Sequence, residues 1–346
     1  MYSFLDWDGW SGERVALRPD GTIPAARLYV ENLGDMPIAK LFYVENVFAF
    51  EGTGAESRER WQCGIELVGG SKPDGDIEII SLAMEAILGL GIDCVEIRVA
   101  HAGLLKAFLE RRGLSGEEEA DVLDRIFSGD LEALGDIKGG DAGLERDVQL
   151  LFGTKGSTAA FVENLRSVLG PSPDLAPSLD ELARIAAVLT DLGFDYQIDF
   201  TSGRGFEYYT GVIFSFYHDG RRLGGGGRYD ELIPLVGGGN VRASGLALSV
   251  EQLMELLEEP PPRERILLKA KGLSGSRPGL EVARVLREAG FIVVSDLGYD
   301  KPAAFRWVLD LDAGGEMKLV DQMSGKKRRA SSPDEVLRIL EEVGRR

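Results

Sequence analysis

Three consecutive prolines, Pro260–Pro262, follow the acidic pair Glu258–Glu259 and constrain the fold more than any other feature of the chain. Proline fixes φ and lacks the backbone N–H, so no helix can continue through such a run. Consecutive prolines also form a stiff spacer. We therefore expect a core over residues 1–258, a linker over 259–263 and a separate domain over 264–346.

Composition limits the kind of protein this can be. With 346 residues the chain can form a sizeable core and a second module. Its two cysteines, Cys63 and Cys94, lack metal-ligand spacing, and its two histidines, His101 and His218, are too few for a His-based metal site. No apolar run approaches a membrane span, and the first residues lack the pattern of a secretion signal. We expect a cytoplasmic protein with no metal, no cofactor and no membrane contact.

The charge balance bears on nucleic-acid binding. The formal net charge is -18, whereas binding to nucleic acid depends on Lys and Arg that neutralise phosphates. The clearest basic cluster, Lys326–Arg329, lies between Gly325 and Ser331–Pro333, which favours a solvated hairpin turn over a nucleic-acid contact. The charge therefore weighs against tRNA as a partner.

Hydrophobic periodicity predicts an α+β core. Apolar runs separated by turns predict antiparallel strands at Val15–Leu17, Leu41–Phe50 and Ile65–Val68. Further short strands are predicted at Tyr196–Phe200, Val212–Phe216 and Ser244–Ser249. Helical spacing predicts one helix over Thr22–Leu33 and a second through Glu78–Leu88, with Asp76 as the predicted N-cap of the second helix. Residues 103–192 are mostly helical in pattern and form a predicted insertion. Beyond the linker, strands and helices alternate, which predicts a small α/β domain.

Three segments combine glycine with charged or aromatic residues. In the first, Leu17–Thr22, an acid can hold an ammonium group and Arg27 a carboxylate, although Pro-Asp-Gly is also a common turn. In the second, Arg204–Gly211, paired tyrosines can present hydroxyls to a polar ligand or alternate between core and surface. The third, Gly224–Asp230, permits close backbone approach to a ligand, but a flexible hairpin loop is the alternative. It is no phosphate loop, because no Lys-Ser/Thr follows it.

Taken together and in this order, the segments resemble histidyl-tRNA synthetase, a class II aminoacyl-tRNA synthetase. Leu17–Thr22 is similar to the family's LRPE/D-x-T segment, and Arg204–Gly211 and Gly225–Asp230 to its two signatures. Leu41–Gly69 is similar to motif 2, and Ser244–Leu256 occupies the place of motif 3. The resemblance covers about residues 1–258. It implies an antiparallel sheet flanked by helices, with a helical insertion at about 103–192.

Two parts of the resemblance are weaker. Residues 264–346 resemble a degenerate anticodon-binding domain. At the other end, the resemblance begins near the strand pair that precedes Leu17, so we expect the family's motif 1 region, which builds the class II dimer interface, to be absent.

The resemblance implies a histidine pocket. Asp20, Gln62 and Glu66 would surround the α-amino group, with Thr22 beside them. The carboxylate and imidazole sides of the pocket would be faced by Arg204, Tyr208 and Tyr209. Each position holds a residue type that can do this.

The ATP side of the same resemblance is altered. The positions that bind ATP in the family correspond to Ala49, Arg58 and Gln252 in this chain. Ala49 follows Phe48 where the family has an arginine for the α-phosphate, and Gln252 replaces the arginine of motif 3. Because guanidinium groups are a main electrostatic device in adenylyl transfer, their loss predicts that adenylate is not formed and that the chain has no catalytic residues.

A core that keeps the amino-acid side and loses the ATP side resembles the ATP phosphoribosyltransferase regulatory subunit family. The resemblance implies a role in histidine biosynthesis, a histidine ligand and a hetero-oligomer with a short-form catalytic subunit. It also implies allosteric feedback without chemistry of its own. Two alternatives stay open: a histidyl-tRNA synthetase with unusual ATP contacts, and a synthetase-like protein that binds some other partner.

Overall fold

A computed structural model provides the structure of the chain. It describes residues 2–5, 14–48, 58–111, 113–114, 116, 118, 121–122, 150–170, 172–202, 209–258, 264–270, 277–298, 304–312 and 314–344. The chain divides into two compact units, Met1–Glu258 and Glu259–Arg346. In the part that is described, no helix is both long enough and apolar enough to cross a membrane.

The first unit is built on a mixed sheet that has seven strands within the described residues. The strands are β3 (Ala39–Phe48), β4 (Glu59–Val68), β5 (Val95–His101), β6 (Asp195–Ile198), β7 (Val212–His218), β8 (Arg221–Arg228) and β9 (Ala243–Ser249). Their order is β3-β4-β9-β8-β7-β5-β6. All neighbours are antiparallel except β5 and β6, which run parallel. A separate short pair, β1 (Ser3–Leu5) and β2 (Arg14–Ala16), is also antiparallel.

Helices flank this sheet. They are α1 (Thr22–Asn32), α2 (Asp74–Gly89), α3 (Ala102–Arg111), α4 (Ala159–Leu169), α5 (Ala176–Asp191), α6 (Leu232–Leu235) and α7 (Val250–Leu256). In α2, Ile79, Ile80, Ala83 and Ile87 repeat at helical spacing and are almost fully buried in the core. The main core therefore lies on the face of the sheet that α2 covers, which we call the core face. The opposite face carries α1 and is called the open face.

Asp76 is not an N-cap, so that prediction was wrong. The helix α2 already begins at Asp74, and Asp76 lies inside it with 1% of its surface exposed. Its carboxylate accepts hydrogen bonds from Arg228 and from the Ser244 hydroxyl. Asp76 is thus a buried ion-pair partner on the core face.

The glycines Gly224–Gly227 lie in a regular strand. The alternative of a flexible hairpin loop was therefore wrong: β8 is an interior strand, paired with β7 on one side and β9 on the other. A glycine-rich strand in the middle of a sheet leaves space above it that side chains from neighbouring strands can occupy.

The second unit is a small α/β domain. Its strands are β10 (Arg265–Ala270), β11 (Ile292–Ser295), β12 (Trp307–Leu311), β13 (Met317–Asp321) and β14 (Lys327–Ala330), in the order β11-β10-β12-β13-β14. Its helices are α8 (Arg277–Glu288) and α9 (Pro333–Gly344). The basic cluster Lys326–Arg329 was predicted as a turn, but most of it forms β14, an edge strand with exposed Lys and Arg side chains.

Candidate functional site

A cavity of about 190 Å³ lies on the open face of the sheet in the first unit. It brings together four residues that the resemblance assigned to one pocket, Asp20, Thr22, Gln62 and Tyr209. Clefts for drug-sized ligands usually measure roughly 300–1,000 Å³. The cavity is smaller, and its size suits a single small metabolite.

The first side of the cavity is formed where α1 begins. Asp20 precedes the helix, and its Oδ1 accepts a hydrogen bond from the Ile23 amide at 3.1 Å. Thr22 is the first residue of the helix and is buried. This local geometry holds a carboxylate at a helix N-terminus, where the unpaired amides favour negative charge.

Glu66 projects from β4 and is the most buried acid beside the cavity, with 1% of its surface exposed. The hydroxyl of Tyr229, a cavity-lining residue, donates a hydrogen bond to its Oε2. Its Oε1 is buried and has no hydrogen bond of good geometry to any residue that the structure describes. One acceptor of this carboxyl group therefore remains open.

Burial raises the pKa of Glu66 to about 8. The hydroxyl groups of Tyr229, Thr22 and Tyr43 oppose this rise in pKa, while the negative charge of Asp20 adds to it. A carboxyl group with a raised pKa is easily ionised again by a nearby cation or N–H donor. The site is therefore suited to a ligand that carries such a group.

Gly245 makes the position of Glu66 possible. It lies on β9 directly opposite Glu66 in the ladder, and a Cβ at this position would come within 1.6 Å of Glu66 Oε2. Any other residue would displace the carboxyl group. The glycine thus allows the Glu66 side chain to lie flat across the neighbouring strand.

Beneath the sheet, a second group of charged residues is fully paired. Arg228, with 3% of its surface exposed, contacts the carboxylates of Asp76 and Glu181. Glu181 also accepts from His101 at 3.3 Å and from Lys72 at 2.8 Å. Although burial opposes it, these partners lower the pKa of Glu181 well below its ordinary value. Burial lowers the pKa of His101.

The core-face network was missed by sequence reasoning. Arg228 belongs to the Gly225–Asp230 signature, but its partners come from α2 and α5, far away in the chain. The one available signal was an arginine that directly follows four consecutive glycines. The cavity residues Arg222 and Tyr229 were also not predicted as site residues.

The remaining predicted residues are placed as follows. Arg204, Tyr208 and Ala49 lie outside the described residues. Arg58 is exposed directly before β4, with its guanidinium 5.7 Å from the centroid of the Tyr2 ring. Gln252 lies in the first turn of α7, where its backbone N–H faces the Ser249 hydroxyl at 3.5 Å.

Comparison with known proteins identifies the fold and the family. The family model described as histidyl-tRNA synthetase matches residues 2–253. The chain belongs to the histidyl-tRNA synthetase family. Both the α+β class II fold and the family resemblance predicted from the motifs are thereby confirmed.

Within the histidyl-tRNA synthetase family, similar proteins carry two names. A Dehalococcoides mccartyi protein named ATP phosphoribosyltransferase regulatory subunit is 40% identical over 98% of this chain and 84% of its own length. A Methanocaldococcus jannaschii protein named histidine--tRNA ligase is 33% identical over 85% of this chain and 71% of its own length. The Dehalococcoides mccartyi relative confirms the resemblance to ATP phosphoribosyltransferase regulatory subunits that the motifs predicted.

Solved structures agree with this assignment. A Bacillus halodurans structure described as ATP phosphoribosyltransferase regulatory subunit/histidyl-tRNA synthetase has a TM-score of 0.75 at 26% identity, covering 90% of this chain and 83% of that one. Histidyl-tRNA synthetase from Nostoc sp. PCC 7120 has a TM-score of 0.73 at 20% identity, covering 97% and 86%, and supports the fold.

Proposed function

We propose that this chain is a non-catalytic regulatory subunit of ATP phosphoribosyltransferase and binds histidine in the open-face cavity. The observation that carries the proposal is the gathering of Asp20, Thr22, Gln62 and Tyr209 around one small cavity, next to the buried Glu66. The name of the Dehalococcoides mccartyi relative supports the regulatory role.

The chemistry of the cavity supports an amino acid with a second nitrogen group. The open Oε1 of Glu66 calls for an N–H donor, which either an ammonium or an imidazole supplies. Asp20 at the start of α1 offers a second carboxylate to a cation. Histidine carries both an ammonium and an imidazole, and it is the ligand that the family resemblance implies.

The altered ATP side supports the absence of catalysis. Gln252 stands in the first turn of α7 where the family has an arginine, and the sequence has Ala49 where motif 2 has another. Losing one such cationic contact typically costs about 10²–10³ in rate. We therefore propose that the chain supports and regulates a separate short-form catalytic subunit in the cytoplasm, as part of a hetero-oligomer.

For the second unit, we propose a degenerate anticodon-binding-like domain that does not bind tRNA. Two cations of its basic edge are neutralised by ion pairs, Arg328 with Glu342 at 3.0 Å and Arg329 with Glu316 at 3.2 Å. Such paired cations contribute less to phosphate binding than free ones.

Calorimetric titration of the full chain with histidine tests the ligand. We expect saturable binding and a rise in the unfolding temperature, because a ligand bound only by the folded state stabilises it. Absence of both would refute the histidine part of the proposal. Histidine weakening the activity of a co-purified catalytic subunit would demonstrate the feedback, since allostery requires unequal binding to two states.

An active histidine--tRNA ligase is the second candidate, and the Methanocaldococcus jannaschii relative favours it. The two functions differ in histidine-dependent exchange of pyrophosphate with ATP, which only the ligase performs. We expect no exchange above background. A protein that binds histidine, exchanges pyrophosphate and fails to co-purify with the catalytic subunit would be the ligase.

A further inference from the structure

Arg222 lines the cavity although its position in the strand suggests the opposite face. Residues three apart in a regular strand point to opposite faces. Between Phe216 and Tyr217 of β7, however, the register of β8 shifts: Gly224 pairs with Phe216 and Arg222 with Tyr217. Leu223 is thus the extra residue of a β-bulge, and it is buried in the core.

The bulge changes the direction of the Arg222 side chain. Gly225 and its partner Ser215 face the cavity side, and Tyr217 lies two residues beyond Ser215 on the same face. Because Arg222 pairs with Tyr217, it joins Gly225 on the open face. Bulges commonly re-aim a side chain in this way next to functional sites.

The guanidinium group of Arg222 lies over the floor of the cavity. A Cβ at Gly225 would come within 2.7 Å of Arg222 Nη2, so the glycine leaves the space that the guanidinium occupies. Arg222 Nε donates to the hydroxyl of Ser215 at 3.3 Å, and Ser215 is itself buried. The arginine is thus held in place by a buried hydroxyl.

Arg222 forms no ion pair with the residues that the structure describes. Its neighbour Arg221 shows the contrast, because Arg221 contacts the Glu255 carboxylate on the surface. A guanidinium at a cavity without a carboxylate partner has its donors available for an anionic ligand.

The two ends of the cavity therefore have opposite character. Glu66 projects from β4, whereas Arg222 projects from β8, and β9 separates the two strands. The Glu66 carboxyl group lies at Gly245 and the Arg222 guanidinium at Gly225, which pairs with Ala247, two residues along β9 from Gly245. One strand spacing and two residues along the strand correspond to roughly 8 Å. An amino acid can lie between these ends with its nitrogen groups toward Glu66 and Asp20 and its carboxylate toward the arginine.

We propose that Arg222 binds the α-carboxylate of the amino acid in this cavity and thereby sets the specificity for a carboxylate-bearing ligand. The inference rests on the proposed histidine site, and it adds Arg222 to Arg204, which the family resemblance assigns to the carboxylate and imidazole sides of that pocket. Arg222 supplies a cation on a chain that has Gln252 and Ala49 at the family's ATP-side arginine positions.

The test compares histidine with histamine, which has the same imidazole and amine but no carboxylate. Affinities are measured by calorimetry for the full chain, Arg222→Gln, Arg222→Lys and the control Arg221→Gln. For Arg222→Gln we expect histidine affinity to fall roughly 10- to 100-fold, the effect of losing a charge-assisted hydrogen bond. Histamine affinity should be unchanged, which also shows that the cavity is intact. Arg222→Lys should recover part of the histidine affinity, and Arg221→Gln should bind both as the unmodified chain does.

The outcomes separate this inference from the proposed function. If the unmodified chain binds no histidine, the proposed function and the inference fail together. If it binds histidine and Arg222→Gln binds it equally well, only the role of Arg222 is overturned. An equal loss of histidine and histamine affinity in Arg222→Gln would also overturn it, because the arginine would then not distinguish the carboxylate.

Discussion

The two faces of the seven-stranded sheet treat buried charge in opposite ways. On the core face, Arg228 is enclosed by Asp76 and Glu181, and every charge has a partner. On the open face, one buried oxygen of Glu66 accepts no hydrogen bond and Arg222 forms no ion pair among the residues that the structure describes. The difference indicates that paired buried charges hold the fold together, whereas incompletely paired ones are available to a ligand.

The largest expected effect is on the core face. Replacing Asp76 by Ala leaves the Arg228 guanidinium buried without one of its carboxylates, and breaking a buried pair in this way costs about 3–5 kcal/mol. Urea denaturation should show this loss in the free energy of unfolding. The exposed pair Arg184–Asp74, at 2.6 Å, offers a matched control: Arg184→Ala should cost less than about 1 kcal/mol. Equal losses in the free energy of unfolding would contradict the contrast between buried and exposed ion pairs.

Gly245→Ala should disturb the open face more than its single added methyl suggests. The new Cβ would overlap Glu66 Oε2, so the carboxyl group must move, and overpacking of this kind costs about 1–3 kcal/mol. We expect histidine binding to be lost together with this stability. Gly89→Ala is the control, since a Cβ there meets nothing within 4 Å. Unchanged histidine affinity in Gly245→Ala would show that Glu66 is not part of the site.

Glu66→Gln should alter the pH dependence of stability. The carboxyl pKa is near 4.5 as a free group and about 8 in the folded chain. Between these values the unfolded state releases a proton that the folded state retains, so the free energy of unfolding falls as pH rises from about 5 to about 8. Glutamine does not titrate in this range, so the free energy of unfolding of Glu66→Gln should fall less between about pH 5 and about pH 8. Denaturation curves at several pH values would measure the difference, and parallel profiles would contradict the assigned pKa.

The smallest effect is expected at Arg221. Its contact with Glu255 joins two side chains that are about half exposed, and such pairs contribute about 0–1 kcal/mol. Arg221→Gln should therefore unfold within about 1 kcal/mol of the unmodified chain. A larger loss would mean that the start of β8 depends on this ion pair, and Arg221→Gln would no longer serve as the control for Arg222.

The elements of the fold were largely predictable because their signals are local. Helix spacing located α1, and the apolar runs located β3 and β9 to within a few residues, whereas only the second part of β4 was predicted. The errors came from long-range effects. Asp76 has the local sequence of a cap, but Arg228, which is 152 residues away in the chain, determines its role. The glycines of β8 have low strand propensity, and only their neighbours β7 and β9 hold them in the sheet.

The site residues likewise divide into those that local sequence predicted and those that depend on long-range contacts. Motif order alone predicted that Asp20, Thr22, Gln62 and Tyr209 belong to one pocket, and the structure brings them to one cavity. Motif order could not predict Arg222, because the direction of its side chain depends on a β-bulge that the residue types do not indicate. Nor could it predict the pairing of Glu181 with Arg228, which joins α5 to β8.

The extra residue Leu223 has a consequence for how such proteins diversify. A relative with one residue fewer at this point would have an uninterrupted ladder with its arginine on the same open face, whereas a relative that keeps the residue but pairs it regularly would turn the arginine toward the hydrophobic interior. The charge offered to a small molecule would then change through a change of strand register, with no substitution at all. Alignments that slide a gap across this strand would pair residues that occupy opposite sides of the sheet.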